Sequence, residues 1–328
     1  MGRCARYVMS RDLPDGRSCH MFQAVVPCLA RDMLLSLGLS KSVVARLFAS
    51  GRLFAHCGES GVPDTPLGPS YALESGDTVC ITCGAVSEEH PMCVTPPFKR
   101  EHAGVAISVL YEDPFVLAVD KPAGILVHGD GSGATTLTDL VRARCSCRGA
   151  NVSVQAVQRL DVDTTGIVLF SKLSEFQGLF DAMMAQKGDG GVSKDYLAVV
   201  RGSFPEGGAV YTDAIARDRH DARRMRVTVR GGQEALTRAR LIEVSPDGAH
   251  SLVYVRLGTG RRHQIRVHFS AHGYPIVNDA LYGSTESSSG LMLHAYRERF
   301  VHPVTGEPVD ICAGWPSRFG EWFDEPAW

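Results

Sequence analysis

Gln158-Arg159-Leu160-Asp161-Val162-Asp163-Thr164-Thr165-Gly166-Ile167-Val168-Leu169-Phe170-Ser171-Lys172 sets an arginine and an aspartate ahead of a Thr-Thr-Gly turn and an apolar run that reads as a buried strand. A carboxylate fixed in a tight turn before a rigid strand can be aimed at a substrate, with a cation beside it to keep it ionised. Taken alone, the plainer reading is a surface turn with a solvated aspartate. Two later segments change that balance. Lys194-Asp195-Tyr196-Leu197-Ala198-Val199-Val200-Arg201-Gly202 places Lys194 and Tyr196 on one side of a strand. A tyrosine so placed offers a flat ring for stacking and a hydroxyl for proton transfer. Gly258-Thr259-Gly260-Arg261-Arg262-His263-Gln264-Ile265-Arg266-Val267-His268 is basic and opened by glycines, with Ile265 and Val267 apolar between polar neighbours, and its plainer reading is a solvated basic strand edge.

In this order and at these separations, the three segments resemble the RluA-type pseudouridine synthases. The landmarks of that family are His-Arg-Leu-Asp-x-x-Thr-Ser/Thr-Gly, then Lys-x-Tyr-x-Ala, then Gly-Arg-x-His-Gln-Ile/Leu-Arg-x-His. Further agreement lies in Asp120-Lys121-Pro122-Ala123-Gly124-Ile125-Leu126-Val127-His128, in Gly273-Tyr274-Pro275-Ile276-Val277-Asn278-Asp279 with Leu281-Tyr282-Gly283, in Leu293-His294-Ala295 and in Phe300-Val301-His302-Pro303. The likeness spans roughly residues 104–315. One position departs: Gln158 stands where the family's landmark opens with His. That puts in question the contacts peculiar to the imidazole and leaves the Arg and Asp in place.

The resemblance implies isomerisation of uridine to pseudouridine in structured RNA. The bond from ribose to nitrogen 1 breaks, the uracil turns, and the ring is rejoined through carbon 5. Such a reaction needs no redox change, metal or cofactor, only a carboxylate to act on the nucleoside, a group to handle the carbon 5 proton, and a pocket to retain the base. By resemblance Asp161 is the carboxylate, as nucleophile or as base. Tyr196 is the stacking partner and a candidate for the proton step, and Arg266 the cation paired with Asp161. Arg159 either enters the space left by an extracted nucleotide or contacts phosphate at the surface. Asp163 reads as a turn former. Lys194, Arg261 and His263 complete the basic set around the landmarks, as expected RNA-binding residues. Arg217, Arg219, Arg223, Arg224, Arg226 and Arg230, ahead of Gly231-Gly232, form either a solvated hairpin or an RNA-gripping loop, with Arg223 and Arg224 at its centre.

Composition is compatible with this reading. A chain of 328 residues with 44% hydrophobic and 21% charged residues suits a soluble enzyme of about two domains. A formal net charge of −2 requires basic residues to be concentrated on one face if RNA is the partner. Of the ten cysteines, Cys80 and Cys83 make one Cys-x-x-Cys with only Cys93 nearby, so reduced thiols are expected in place of zinc. Residues 1–18 are polar with several arginines, and no apolar run approaches the ~20 residues of a membrane span, so a cytoplasmic protein is expected.

The expected organisation is a tail over 1–20, an RNA-binding domain over 21–85, a linker over 86–103 and a catalytic domain over 104–328. Asp32-Met33-Leu34-Leu35-Ser36-Leu37-Gly38 reads as one helix. Residues 40–51 read as a second, with Val43, Val44, Leu47 and Phe48 on one face and Gly51 as its stop. Short strands follow at 52–56 and 77–81. This order resembles the small α/β alpha-L RNA-binding domain, with Lys41, Arg46 and Arg52 as RNA contacts. An adapter that touches no RNA is the plainer alternative. In the catalytic part, strands are expected at 107–111, 116–119 and, as a pair, within 239–257. Helices are expected at 136–144 and 174–186, the latter opened by a Ser174/Gln177 capping box. The fold class is α+β, a mixed, mainly antiparallel sheet with flanking helices and a central cleft. The expected substrate is ribosomal RNA of the large subunit ahead of tRNA, and the expected state a monomer. Two rivals stand beside this: a non-catalytic RNA-binding or ribosome-assembly protein, which needs no joint Asp161, Tyr196 and Arg266, and a hydrolase, which lacks a paired carboxylate or Ser-His-Asp set.

Overall fold

The apolar run of the landmark forms strand Thr165–Ser171, which lies inside a ten-stranded sheet. The computed structural model describes residues 4–13, 17–57, 63–83, 107–147, 154–186, 191–283, 286–287 and 289–327. Across the sheet the strands run Ala209–Tyr211, Thr237–Val244, His250–Leu257, Ser193–Arg201, Leu293–Val301, Thr165–Ser171, Val116–Lys121 and Ser108–Glu112, with Gln155–Ala156 and Pro308–Cys312 paired off this path. Thr165–Ser171 pairs in parallel with Leu293–Val301, and the other ladders of this sheet are antiparallel. Helices Leu137–Cys147, Gln177–Ala185 and Gln264–Ala271 flank it, so the mixed, mainly antiparallel α+β architecture holds.

Gly166 shows why the turn must end in glycine. Its φ is +106°, and a Cβ there would lie 2.2 Å from the carbonyl oxygen of Ala295 on the parallel neighbour. Only glycine permits that approach and that backbone conformation together. The Asp161 turn is thereby pressed against the centre of the sheet.

The N-terminal part contains helices Ala30–Ser36 and Lys41–Ala49 and a five-stranded sheet, ordered Ala5–Asp12, Ser18–Ala24, Thr78–Cys83, Leu53–Cys57, Pro63–Pro66. Ser40 caps the second helix by accepting from the Val43 amide at 3.3 Å, and Gly51 ends it at φ +62°. The expected tail is not one. Residues 5–12 form an edge strand paired with Ser18–Ala24, and a bulge between Tyr7 and Met9 breaks the alternation by which a strand is read. The expected linker lies outside the described residues.

The N-terminal sheet is not tethered loosely. Phe22 joins Phe115 and Phe176 of the catalytic part in one core, with Tyr7 5.2 Å from Phe115 and Phe115 5.0 Å from Phe176 by ring centroids. Each fully buried phenylalanine contributes roughly 1.5–3 kcal/mol of burial, so removing the N-terminal part would expose a core as well as remove a surface.

One local expectation is corrected, and one plainer reading is set aside. The helix expected from Ser174 begins at Gln177, with Phe176 as N-cap and no side-chain cap bond. A turn in which the Phe176 amide donates to the Leu173 carbonyl at 3.1 Å takes up the preceding residues, and Gln177 Nε2 donates to Asp181 in place of a capping box. The Gly258–His268 segment is no strand edge: from Gln264 it is helix, and Gln264 to Phe269 are all buried. Ile265 and Phe269, four apart, pack on the main core while Val267 packs on a second one, so a helix covered on both sides imitates alternation by two.

Candidate active site

The Asp161 carboxylate sits on a turn closed by the Thr164 amide donating to the Asp161 carbonyl at 3.2 Å. Behind it lies Lys121, fully buried at the end of strand Val116–Lys121. Its Nζ donates to the carbonyls of Pro122 (2.9 Å), Val162 (2.6 Å) and Thr164 (2.9 Å), so one ammonium fixes the backbone on both sides of the turn. Burial pulls its pKa down to about 8 against the opposing pull of Asp163 and Asp161.

Lys121→Met would leave these carbonyls without that donor, and we expect a loss of about 2–4 kcal/mol at neutral pH, read by urea unfolding. The folded lysine releases its proton near pH 8, and the unfolded chain near 10.5. Between those values the unfolded state binds more protons, so this lysine's contribution to stability rises with pH, by about 3 kcal/mol over the window. The gap between wild type and Lys121→Met should therefore widen from pH 8 upward, and a narrowing gap would mean that the fold raises this lysine's pKa instead of lowering it.

Helix Gln264–Ala271 supplies the cation. Arg266 Nε and Nη2 each donate at 2.8 Å to Asp279, one to either carboxylate oxygen, and Nη1 donates at 2.9 Å to Asp161. Burial opposes the charge, but Asp279 and then Asp161 outweigh it and raise the Arg266 pKa above its ordinary value. Asp279 is buried and also accepts from the Leu281 and Tyr282 amides at 3.0 Å. The guanidinium is thus locked by a bidentate fork on one side and presents its remaining arm to Asp161. Asp161 itself keeps 24% side-chain exposure and faces the cleft.

His263 lies here as well. It precedes the helix in a left-handed conformation (φ +55°), with Nε2 3.8 Å from Asp161 and Nδ1 2.8 Å from the Tyr282 hydroxyl. The Met225 amide also donates to that hydroxyl, at 2.6 Å, so Tyr282 ties His263 to the arginine-rich hairpin. Burial lowers the His263 pKa, with Asp161 opposing, so the ring is neutral at pH 7. His263 therefore belongs to the carboxylate's surroundings, in the cleft it helps to line.

Lys194 and Tyr196 face the same cavity of about 470 Å³ as Asp161, as alternation by two requires. Burial, then Glu298 and Asp161, push the Tyr196 pKa up, so it remains a protonated phenol. Lys194 turns into the cleft: burial lowers its pKa while the buried Glu298 opposes. Gln158 occupies the place of the family's His by donating from Nε2 to Glu298 Oε1. Burial raises the Glu298 pKa, and Lys194 and Gln158 counter it.

The other basic candidates divide. Arg159 and Arg261 line the cleft, Arg159 exposed, and Arg261 Nε donates to the Glu234 carbonyl at 2.9 Å. Arg223 is exposed and paired with Asp221 at 2.7 Å, and Arg224 lies over the Tyr282 ring at 5.1 Å. The arginine-rich segment is a hairpin, Ala214–Arg217 with Met225–Thr228, braced on the site through Tyr282. Lys41 and Arg46 are exposed on their helix. Arg52 is corrected: it is ion-paired to Glu175 across the boundary between the N-terminal and catalytic parts. Reading the sequence missed Lys121, Asp279, Tyr282 and Glu298 as parts of the site. All lie in quoted motifs or beside them, yet nothing in their spacing shows what they would touch.

A family model described as RNA pseudouridylate synthase matches residues 115–271. Ribosomal large subunit pseudouridine synthase D of Xylella fastidiosa is 36% identical over 322 residues, covering 93% of this chain and 88% of that protein. Ribosomal large subunit pseudouridine synthase C of Escherichia coli is 32% identical over 287 residues, covering 84% and 85%. Among solved structures, human RNA pseudouridylate synthase domain containing 1 superposes with a TM-score of 0.55 at 26% identity, over 66% of this chain and 88% of that one.

Proposed function

The chain belongs to the RluA-type RNA pseudouridine synthases, and from that premise we propose that it isomerises uridine in large-subunit ribosomal RNA, with Asp161 as the catalytic carboxylate. The observation that carries the assignment of Asp161 is the array Asp161–Arg266–Asp279, in which Asp279 is sealed and Asp161 alone reaches the cleft. The relatives' names favour the large ribosomal RNA as substrate.

In this reading the target nucleotide leaves its stack and enters the cleft, with exposed Arg159 at the rim to fill the gap. Asp161 acts at the ribose as nucleophile or base, ionised and aimed by Arg266. The bond to nitrogen 1 breaks, and the uracil turns while retained against the Tyr196 ring. Carbon 5 joins the ribose and gives up its proton, and nitrogen 1 gains one, so the product is an isomer of the substrate. Tyr196, a phenol at working pH, serves that step by passing its own proton on as it accepts another. Lys41 and Arg46, exposed in the N-terminal part, would hold the RNA at a distance from the reacting base.

Tyr196→Phe keeps the ring and removes the relay. Its turnover should fall about 10²–10⁴-fold with RNA affinity unchanged, as measured by single-turnover kinetics and filter binding. Full activity would make the hydroxyl irrelevant. The test of the whole reading is pseudouridine mapping by carbodiimide labelling on total RNA from cells with and without the gene. Sites lost from large-subunit ribosomal RNA and restored by wild type support it, whereas loss confined to tRNA would overturn the substrate.

A further inference from the structure

Lys194 and Tyr196 line the catalytic cleft, so by alternation the residue between them faces the other side of the sheet. That residue, Asp195, is 1% exposed, yet its carboxylate binds two cations, Arg256 at 2.6 Å and Arg299 at 2.8 Å. Around it this opposite face carries an open groove of about 610 Å³, lined by Arg238, Arg240, Tyr254, Arg256, Tyr296 and Arg297 among others. No residue of this groove lines the catalytic cleft.

The charges form a row set by strand register. Arg238 lies directly opposite Arg256, which lies opposite Asp195, which lies opposite Arg297. Asp310 answers Arg297 at 2.7 Å. Five arginines, 238, 240, 256, 297 and 299, thus meet Asp195, Asp310 and, beside Tyr296, Glu325, an excess of two positive charges in a chain whose formal net charge is −2. Like charges directly opposed across strands are unfavourable in the free sheet. Arg240 lies 5.6 Å above the Tyr254 ring, so its guanidinium is carried on an aromatic plane at the groove. Arg238 and Arg240 are exposed.

We propose that this groove is a second RNA-binding surface, on the face opposite the catalytic cleft, that grips the phosphate backbone of a large RNA whose target uridine lies in the cleft. Phosphates relieve the Arg238–Arg256 opposition, and the half-exposed tyrosines accept unstacked bases or sugar faces beside them. A short stem-loop fills the cleft without reaching round the sheet; a large folded RNA reaches both. The choice of RNA as occupant rests on the proposed function, and the face itself on charge and register.

The test compares full-length wild type, R238A/R240A and R238K/R240K on two RNAs: a transcript of a large-subunit ribosomal RNA domain, and a short stem-loop with the same uridine. For the long transcript R238A/R240A should weaken binding about tenfold and lower the slope of log affinity against log salt by about 1–2. R238K/R240K should keep both, and turnover on the stem-loop should be the same for all three proteins. Unchanged affinity and salt slope on the long transcript would overturn the proposal, as would an equal loss on the stem-loop. If wild type isomerised neither RNA, the proposed function would fail while the salt slopes still decided whether this face binds RNA.

Discussion

Asp161→Asn is expected to reduce pseudouridine formation by at least about 10⁴-fold while leaving folding and RNA affinity nearly unchanged. Asparagine matches aspartate in size, and its carbonyl oxygen can still accept from Arg266 Nη1, which sits 2.9 Å from the Asp161 carboxylate. The other arms of Arg266 remain on Asp279, and Lys121 holds the turn through main-chain carbonyls that the substitution does not touch. What is lost is the negative charge and the lone pair that attack the ribose or take its proton. Loss of one negative charge in a cleft lined by Arg159, Arg261 and Arg266 strengthens RNA binding slightly if it changes it at all. The measurement is single-turnover release of tritium from uridine labelled at carbon 5, run beside filter binding. Turnover within tenfold of wild type would remove Asp161 from the reaction; lost turnover together with lost binding would mean a structural role.

Elements defined by their own residues were legible in the sequence. Helix Lys41–Ala49 carries its cap at Ser40 and its stop at Gly51, and strand Thr165–Ser171 its apolar run, so both read correctly from local pattern. The pairing of Asp161 with Arg266, 105 residues apart, became legible only through the family likeness. Elements defined by what covers them were not read from local pattern. Helix Gln264–Ala271 is buried on two sides by different cores and so shows no polar face. The edge strand Ala5–Asp12 carries Tyr7, Val8 and Met9 in succession across a bulge, so no alternation announces it.

Site residues divide in the same way. Asp161, Tyr196 and Arg266 stand in motifs whose chemistry is suggestive in isolation. Lys121 is a lysine like any other until three carbonyls converge on it, and Arg52 reads as a free cation until the N-terminal part docks and brings Glu175 to it. Gln158 was legible as a departure, but its meaning required Glu298, 140 residues away in sequence. A titratable group's role is set by its partners, and partners at long range carry no local signature.

Arg266→Gln is expected to remove activity and to cost about 3–5 kcal/mol of stability, because the fork to Asp279 is the cationic partner of a carboxylate with no exposed side chain. A loss of stability alone would not separate orientation of Asp161 from simple packing. The double variant Arg266→Gln/Asp279→Asn separates them. It replaces a buried ion pair by a neutral hydrogen-bonded pair of similar shape, so most of the lost stability should return, with a coupling of about 2–3 kcal/mol in the double-mutant cycle. Activity should not return, because Asp161 still lacks the charged arm that holds it. Urea unfolding and single-turnover kinetics on the four proteins of the cycle read both quantities. If the double variant recovered turnover along with stability, Arg266 would serve the helix and not the carboxylate. If it recovered neither, the Arg266–Asp279 fork would be irreplaceable by any neutral pair, and the charge on Arg266 would be needed for the fold itself.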